Sequence, residues 1–284
     1  MTHDACPNRR RPLLAVAALP LMALGPRRSL HAQPAPLRVA LAPFLSPAAL
    51  LVAYRPLREH LERELRRPVP MVTERDFHVL LAATQRGDHD VVQLPAHLAR
   101  LAMVDWRWQP VASLQEAVTA VVVVKADGPV RSAADLRGRR VGMLDPLSLT
   151  ATMGRRWLQQ QGLTADATVL TQPSVNSGMY ALDRDEIAAL VCADTQLLSL
   201  PASTPRGERL LATIGAMPAP IFIARPALPE AELAALRAAM ASFKPDPARP
   251  RTASNSVLRP LNEASLAALD AYVPLARQAL AGPR

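Results

Sequence analysis

Short β-type runs that alternate with helical segments most constrain what this 284-residue chain can fold into. The segments between the runs carry apolar residues at the three- to four-residue spacing of amphipathic helices, as at Leu50, Tyr54, Leu57 and Leu61. The β-type runs lie over 37–42, 68–72, 89–94, 117–125, 140–144, 168–171, 187–193 and 221–224. This order predicts an α/β fold in which a second βα series begins after residue 125.

Local signals refine three of these elements. Pro56 is expected to kink or split the helix that contains it, because proline lacks the N–H group that a helix interior needs. Trp106 and Trp108 are interpreted as alternating residues of a strand, with one of them buried. The segment 263–280 is predicted to form one C-terminal helix.

The first 32 residues have the organisation of an export leader. The basic sequence NRRR at 8–11 precedes an apolar stretch of 14 residues at 12–25, which suits a signal peptide and is short for a membrane helix. The paired arginines resemble those of a twin-arginine leader. A small residue, Ala32, offers a cleavage point, so the mature chain is predicted to begin near Gln33 and to act in the periplasm.

The net charge of +9 makes a polyanion such as nucleic acid the first partner to consider. The leader carries four of these nine charges, and the rest of the chain has no nucleic-acid motif. Two cysteines are too few for a disulfide framework, and no Cys/His cluster suggests a zinc site. We therefore predict no nucleic-acid partner, no metal, no cofactor and no membrane span.

The segment 145–152, with the sequence DPLSLTAT, is the most informative candidate site. In open α/β sheets ligands bind beyond the carboxyl ends of the strands, and this segment leads from a predicted strand into a helix. The hydroxyls of Ser148, Thr150 and Thr152, with the backbone around Ala151, predict a cradle for a phosphate or carboxylate at the helix N-terminus. The alternative is that Ser148 or Thr150 only caps the helix.

Other candidate ligand-binding residues follow other strand ends. Phe44 and Ser46 follow the first run, and Asn176 follows the run that ends at Thr171. His97 is a candidate donor to an anion, with packing or capping as the alternative. Asp194 is a candidate partner for a ligand amine or hydroxyl, or else a cap for the next segment.

No sequence signature of catalysis is present. The chain lacks a GxSxG elbow, a P-loop and a GxGxxG fingerprint. A Ser148–His97 pair would form only if two parts of the fold brought these residues together. We therefore predict no catalytic residues, and a periplasmic enzyme acting on a small anion is the less favoured alternative.

Five stretches carry a resemblance to a known family. They are YRPL at 54–57, GDHDVV at 87–92, LPAH at 94–97, SAADLRG at 132–138 and DPLS at 145–148. Together they resemble the periplasmic solute-binding proteins of the two-lobed type II class. More narrowly, the chain is similar to the phosphate/phosphite/phosphonate substrate-binding proteins of ABC transporters.

The chain departs from that family's pattern where the ligand would bind. In the family's DPxSTSG loop, Leu149 replaces the threonine, Thr150 the serine and Ala151 the glycine. The family's SHD sequence is matched only by the serine at 174, with valine and Asn176 after it. These replacements remove hydroxyl and imidazole donors, each worth about 1.5–3 kcal/mol toward a charged ligand.

The resemblance implies a two-lobed α/β protein, each lobe a mixed sheet flanked by helices. It places one lobe over 37–116 and 222–284, the other over 120–218, and the crossing segments at 117–125 and 213–225. It also implies a small, phosphate- or phosphonate-like anion in the cleft between the lobes, and a monomer that delivers it to an ABC permease at the inner membrane. The alternative is that the protein is the ligand-sensing partner of a membrane receptor.

Overall fold

The elements of the computed structural model, which describes residues 35–115 and 118–281, follow the predicted α/β order. The strands are β1 (Val39–Leu41), β2 (Met71–Thr73), β3 (Val91–Leu94), β4 (Gln109–Leu114), β5 (Val118–Lys125), β6 (Arg140–Met143), β7 (Thr168–Thr171), β8 (Ala189–Ala193), β9 (Glu208–Met217), β10 (Ile221–Ala224) and β11 (Leu258–Arg259). The helices are α1 (Pro47–Leu65), α2 (Phe77–Arg86), α3 (Ala96–Trp106), α4 (Leu149–Gln160), α5 (Val175–Asp183), α6 (Asp194–Leu198), α7 (Glu230–Ser242), α8 (Glu263–Ala267) and α9 (Val273–Ala281). The predicted export leader, residues 1–32, lies outside the described residues.

The strands form two mixed sheets, as predicted. The six-stranded sheet has the order β11-β4-β10-β3-β1-β2, in which β1 pairs in parallel with β2 and β3, and β10 is antiparallel to β3 and β4. The five-stranded sheet has the order β7-β6-β8-β5-β9, in which β6 is parallel to β7 and β8, and β5 is antiparallel to its neighbours. We call the part built on the six-stranded sheet the first lobe and the part built on the five-stranded sheet the second lobe.

The chain crosses between the lobes twice, where β4 leads to β5 and where β9 leads to β10. The second crossing is shorter than the segment 213–225 that the sequence suggests. β9 extends to Met217 because it pairs with β5 along its length, and β10 already belongs to the other sheet at Ile221. Only Pro218–Pro220 remain between them. The lobe bounds drawn from the sequence stay a prediction.

Three local expectations are corrected. α1 runs through Pro56 without a break, so the proline does not split it. Trp106 ends α3 and Trp108 precedes β4, because Arg107 between them adopts a left-handed conformation with φ of 61°. The segment 263–280 is not one helix but comprises α8, a 3-10 helix and α9.

Candidate functional site

A cavity lies between the two lobes, at the carboxyl ends of their strands. It has a volume of about 60 Å³, enough for a ligand of a few non-hydrogen atoms. We call its two sides the first-lobe wall and the second-lobe wall. The first-lobe wall consists of Ala42, Phe44, Phe77, Pro95 and Ala253. The second-lobe wall consists of Val118, Leu144, Ser148, Leu149, Thr150, Ala193, Thr195, Gln196 and Met217. Pro218 and Pro220 of the crossing complete the lining.

The start of α4 forms the polar centre of the second-lobe wall. Ser148 is the N-cap, and its Oγ accepts the backbone N–H of Ala151 at 3.2 Å and the hydroxyl of Thr150 at 3.2 Å. Because Oγ accepts both bonds, the Ser148 hydroxyl hydrogen is left to donate. The first N–H groups of a helix also lack partners within it and carry partial positive charge. The loop therefore caps the helix and retains donors toward the cavity, so the two interpretations of Ser148 are compatible.

A glycine sets how closely α4 approaches the sheet beneath it. A Cβ atom at Gly154 would come within 2.9 Å of Val191 Cγ1 on β8 and 3.2 Å of the end of Met143 on β6. A larger residue at this position would push the helix outward. The small residue thus holds the N-terminus of α4 beside the carboxyl ends of β6 and β8.

Thr195 and Gln196 extend the polar part of the second-lobe wall. They follow β8 directly, on α6. The Gln196 Oε1 accepts the backbone N–H of Ala193 at 2.9 Å, which orients the side chain. The Gln196 NH₂ group and the Thr195 hydroxyl make no hydrogen bond to the described residues, so both remain available to a ligand.

The first-lobe wall has a different chemistry. Ala42, Phe44 and Phe77 belong to the hydrophobic core of this part of the molecule, and Phe77 is only 2% exposed. Pro95 has no N–H to offer. Among the residues that the structure describes, no side chain of this wall carries a polar group, and none that lines the cavity on either side carries a charge.

Direct hydrogen bonds join the lobes beside the cavity. The backbone N–H of Val175 donates to the carbonyl oxygen of Phe44 at 3.2 Å. The backbone N–H of Ser46 donates to Asn176 Oδ1 at 3.2 Å, and the Asn176 amide donates to Thr204 Oγ1 at 3.4 Å. Ser46 and Asn176, both predicted to touch a ligand, are hydrogen-bonded to each other across the cleft.

His97 makes the third contact between the lobes. Its Nε2 lies 2.9 Å from the carbonyl oxygen of Leu147, so Nε2 carries the hydrogen and donates across the cleft. Burial lowers the pKa of the imidazole to about 4, although the bond to Leu147 acts in the opposite direction. The neutral ring therefore has Nδ1 as an acceptor, and this buried atom has no hydrogen-bond partner among the described residues. In this arrangement His97 bridges the two lobes.

The remaining predicted residues surround the cavity without lining it. Ala151 is fully buried in the second lobe, and Thr152 donates its hydroxyl to the carbonyl oxygen of Ser148 at 3.3 Å. The Asp194 carboxylate accepts the backbone N–H groups of Thr119 at 3.1 Å and Thr195 at 2.7 Å. Asp194 therefore links the start of β5 to the start of α6.

Sequence reasoning missed several residues that line the cavity. The strand-end rule could have identified Thr195 and Gln196, because they follow the predicted strand that ends at residue 193. The sequence gives no reason to select Phe77 or Met217, since an apolar residue at a helix start or a strand end usually belongs to the hydrophobic core. Within the described residues there is no group of acidic, histidine and cysteine side chains that could hold a metal ion, and no helix that could span a membrane.

A family model matches most of the chain. It is described as "ABC transporter, phosphonate, periplasmic substrate-binding protein" and matches residues 39–271. No curated protein sequence matched the chain. The matched range includes every strand of both sheets and both sides of the cavity.

Solved structures share the fold at low sequence identity. A binding-protein component of an ABC phosphonate transporter from Pseudomonas aeruginosa has a TM-score of 0.71 at 11% identity, covering 86% of this chain and 87% of its own. A Prochlorococcus marinus protein in complex with methylphosphonate has the same TM-score and identity, covering 86% and 98%. The alkanesulfonate-binding protein of Xanthomonas axonopodis pv. citri, bound to MOPS, has a TM-score of 0.55 at 19% identity, covering 89% and 96%. These similarities show the two-lobed type II fold.

Proposed function

Because the chain belongs to the family of periplasmic substrate-binding proteins of phosphonate ABC transporters, we propose that it captures a small anion in the cavity between its lobes. One observation carries this proposal: the capped N-terminus of α4 opens into that cavity. A helix N-terminus with hydroxyl donors beside it is a favourable place for an oxyanion. The captured anion would then pass to the ABC permease with which this family works.

The ligand would bind mainly through the second lobe. Ser148 would donate its hydroxyl to the ligand, and Thr150, whose own hydroxyl donates to Ser148 Oγ, would orient it. The first N–H groups of α4 would add backbone donors, and Thr195 with Gln196 would reach the same group from the start of α6. Phe44 and Phe77 would cover the ligand from the first lobe. In this assignment His97, Asn176 and Ser46 act on the ligand only through the closed arrangement that they hold.

A ligand panel tests the proposal. The mature chain would be titrated calorimetrically, and its melting followed, with phosphate, phosphite, methylphosphonate, sulfate, methanesulfonate, acetate and, as uncharged controls, methanol and acetamide. A ligand at 100 times its Kd should add about 2.7 kcal/mol to the free energy of unfolding. Binding of at least one anion, with no binding of the uncharged controls, is expected. Absence of binding by every anion contradicts the proposal.

We also propose that residues 1–32 direct export and are removed, leaving a monomer. The charge pattern of 8–11 and the apolar stretch of 12–25 support this proposal. N-terminal sequencing of protein recovered from the periplasm should begin near Gln33, and light scattering should give a mass close to that of one chain. An N-terminus at Met1 in periplasmic protein, or a dimer mass, contradicts the corresponding part.

A further inference from the structure

A groove beside the ligand cavity runs between α4 of the second lobe and the C-terminal helices of the first lobe. Arg155, Arg156 and Gln159 lie on its second-lobe side, and Tyr272, Leu275 and Gln278 lie on its first-lobe side. We call this space the lateral groove. Its volume is about 1030 Å³, and pockets that hold organic ligands commonly measure about 300–1,000 Å³. In the described part of the chain, Leu149 is the one residue that lines both the groove and the cavity, so the two spaces are distinct.

We propose that the lateral groove is a second binding site, for an organic anion that carries two or more negative charges on separate groups. The site itself does not rest on the function proposed for the cavity. A second part of the proposal does rest on it. Because the bound polyanion contacts both lobes, it stabilises their closed arrangement and so tightens the binding of the small anion in the cavity.

The charge of the groove provides the first argument. Arg155 and Arg156 both line it, and neither side chain has an ion pair or a hydrogen bond to the part of the chain that the structure describes. None of the described residues that line the groove is acidic. Consecutive residues leave a helix about 100° apart around its axis, so the two guanidinium groups suit charges at separate positions of one molecule. Each guanidinium can bind a carboxylate or phosphate through two parallel N–H bonds.

Neutral donors extend the basic side of the groove. Gln159 and Gln160 lie one helical turn after Arg155 and Arg156, and their exposed amide groups also line the groove. Neither amide makes a hydrogen bond to a described residue, so both can donate to further oxygen atoms of the ligand.

Apolar side chains favour an organic ligand over an inorganic one. Leu275 projects from the first-lobe side and is 43% exposed, although it is a large aliphatic residue. Met153 and Ile214 line the groove from the second lobe. A carbon skeleton between the charged groups would cover these side chains and remove them from water, which is favourable.

Both sides of the groove are fixed to their own lobe. On the first-lobe side, Arg100 donates to Asp270 at 2.6 Å and Arg277 donates to Asp105 at 2.5 Å, so the segment with Tyr272 and Leu275 is tied to α3. On the second-lobe side, α4 is held close to its sheet at Gly154. A ligand in the groove therefore connects the lobes, and α4 contacts it with the same helix whose N-terminus forms the polar centre of the cavity.

Calorimetry with polyanions on the mature protein, at one pH and constant ionic strength, tests the site. The probes are tricarballylate, glutarate and, as the inorganic comparison, pyrophosphate. Tricarballylate has three carboxylates on a short carbon chain and should bind more tightly than pyrophosphate. The double variant Arg155→Gln/Arg156→Gln should weaken the binding of tricarballylate at least about tenfold, because hydrogen bonds to charged groups are lost.

Arg55→Gln/Arg63→Gln is the matched control for charge. These two exposed arginines lie on α1, outside the groove, and also have no ion pair or hydrogen bond to a described residue. The control makes the same change in net charge as the first double variant. It should leave the affinity nearly unchanged, since salt screens distant charges.

A second matched pair of variants tests the first-lobe side. Leu275→Glu places a negative charge inside the groove and should weaken the binding of tricarballylate several-fold. Leu51→Glu makes the same substitution on α1, at a side chain that is 45% exposed against 43% for Leu275, and should leave the affinity nearly unchanged. Melting curves would verify that all the variants fold.

The coupling between the sites is measured with two ligands together. The tightest-binding small anion of the panel is titrated with and without saturating tricarballylate. Its affinity should rise several-fold in the wild type and stay constant in the Arg155→Gln/Arg156→Gln protein.

The outcomes separate this proposal from the function of the cavity. Absence of binding by every polyanion, an unchanged affinity in the arginine double variant, or full competition between tricarballylate and the small anion overturns the second site. If pyrophosphate binds as tightly as tricarballylate, the preference for an organic ligand is wrong, and independent binding of the two ligands overturns the coupling. An unchanged affinity in Leu275→Glu contradicts the role of the first-lobe side. If tricarballylate binds as expected while no small anion binds, the second site stands and the proposed function fails.

Discussion

The two walls of the cavity differ in how they are tied to the rest of the fold. The first-lobe wall is the edge of a hydrophobic core, where Phe44 and Phe77 pack with buried strands. Both walls include helix starts, but the described polar side chains that line the cavity belong to the second-lobe wall, where Ser148 caps α4 and Gln196 accepts the backbone N–H of Ala193. A residue of the first kind contributes mostly to stability, whereas a residue of the second kind contributes mostly to binding. The following predictions test this division, from the largest expected effect to the smallest.

Phe77→Ala should have the largest effect on stability. Removing a fully buried phenylalanine lowers the free energy of unfolding by about 3–5 kcal/mol, because apolar contact is lost and a cavity remains. Urea unfolding followed by circular dichroism measures this change. Val104→Ala, at a side chain that is 47% exposed, is the matched control and should change stability by less than about 0.5 kcal/mol. Equal losses in the two variants would contradict the burial of Phe77 in the core of the first lobe.

His97 should make stability depend on pH. Since its pKa is about 4 in the folded protein and about 6.5 in the unfolded chain, the unfolded chain takes up the proton first as the pH falls. Stability should therefore decrease between about pH 6.5 and pH 4, by about 3 kcal/mol in total, and show no further change from this group below pH 4. Urea unfolding at a series of pH values measures the slope.

His97→Gln is the control for that slope. Glutamine retains an N–H donor for the carbonyl oxygen of Leu147 but does not titrate. Subtracting the two pH profiles removes the contribution of the carboxylates, which the proteins share. Parallel profiles from pH 7 to pH 4 would show that the buried imidazole does not carry the effect.

The double variant Ser148→Ala/Thr150→Ala should weaken ligand binding at least tenfold, equivalent to about 1.4 kcal/mol. The N-cap is lost as well, so stability should fall by about 1 kcal/mol, which is much less than for Phe77→Ala. Calorimetry with the tightest-binding anion of the panel measures the first effect. Thr152→Ala removes a hydroxyl from the same helical turn and should bind normally; an unchanged affinity in the double variant would remove the loop from the site.

The smallest effect is expected at Cys192, whose thiol should not react with iodoacetamide in the native protein. It lies fully buried in β8, and burial, with the nearby charges of Glu208 and Asp194, raises the pKa of its thiol far above the usual range. In the mature chain, iodoacetamide should label it only as the second lobe unfolds in urea. If Phe77→Ala shifts the midpoint of labelling as much as that of circular dichroism, the two lobes unfold together. Labelling of the native protein would contradict the burial of this strand.

Local rules predicted much of the fold. The bounds of β7 and β10 match the β-type runs at 168–171 and 221–224 that the sequence predicts. The prediction that Pro56 splits its helix was wrong, because the buried face of α1 compensates for the backbone hydrogen bond that the proline removes. The prediction of a strand containing Trp106 and Trp108 was wrong, because nothing in the local sequence shows that Arg107 adopts a left-handed backbone conformation.

The site was only partly predictable, because the residues that meet between the lobes are far apart in the sequence. The strand-end rule identified Phe44 and Ser148, which line the cavity from opposite lobes. It also selected Asn176 and His97, since it names residues near a cleft without saying whether they face a ligand or the other lobe. That distinction depends on how the two lobes meet, which involves residues 130 and 50 positions apart in these two hydrogen bonds.

The hydrogen bonds described above between the lobes have a kinetic consequence. They join the lobes beside the cavity, so each must break before the lobes can separate to admit or release a ligand. The opening rate of the empty protein then sets a ceiling on capture, and the opening rate of the loaded protein sets the residence time. Weakening one of these hydrogen bonds would accelerate opening in both states. Such a variant would bind ligand faster and also release it faster.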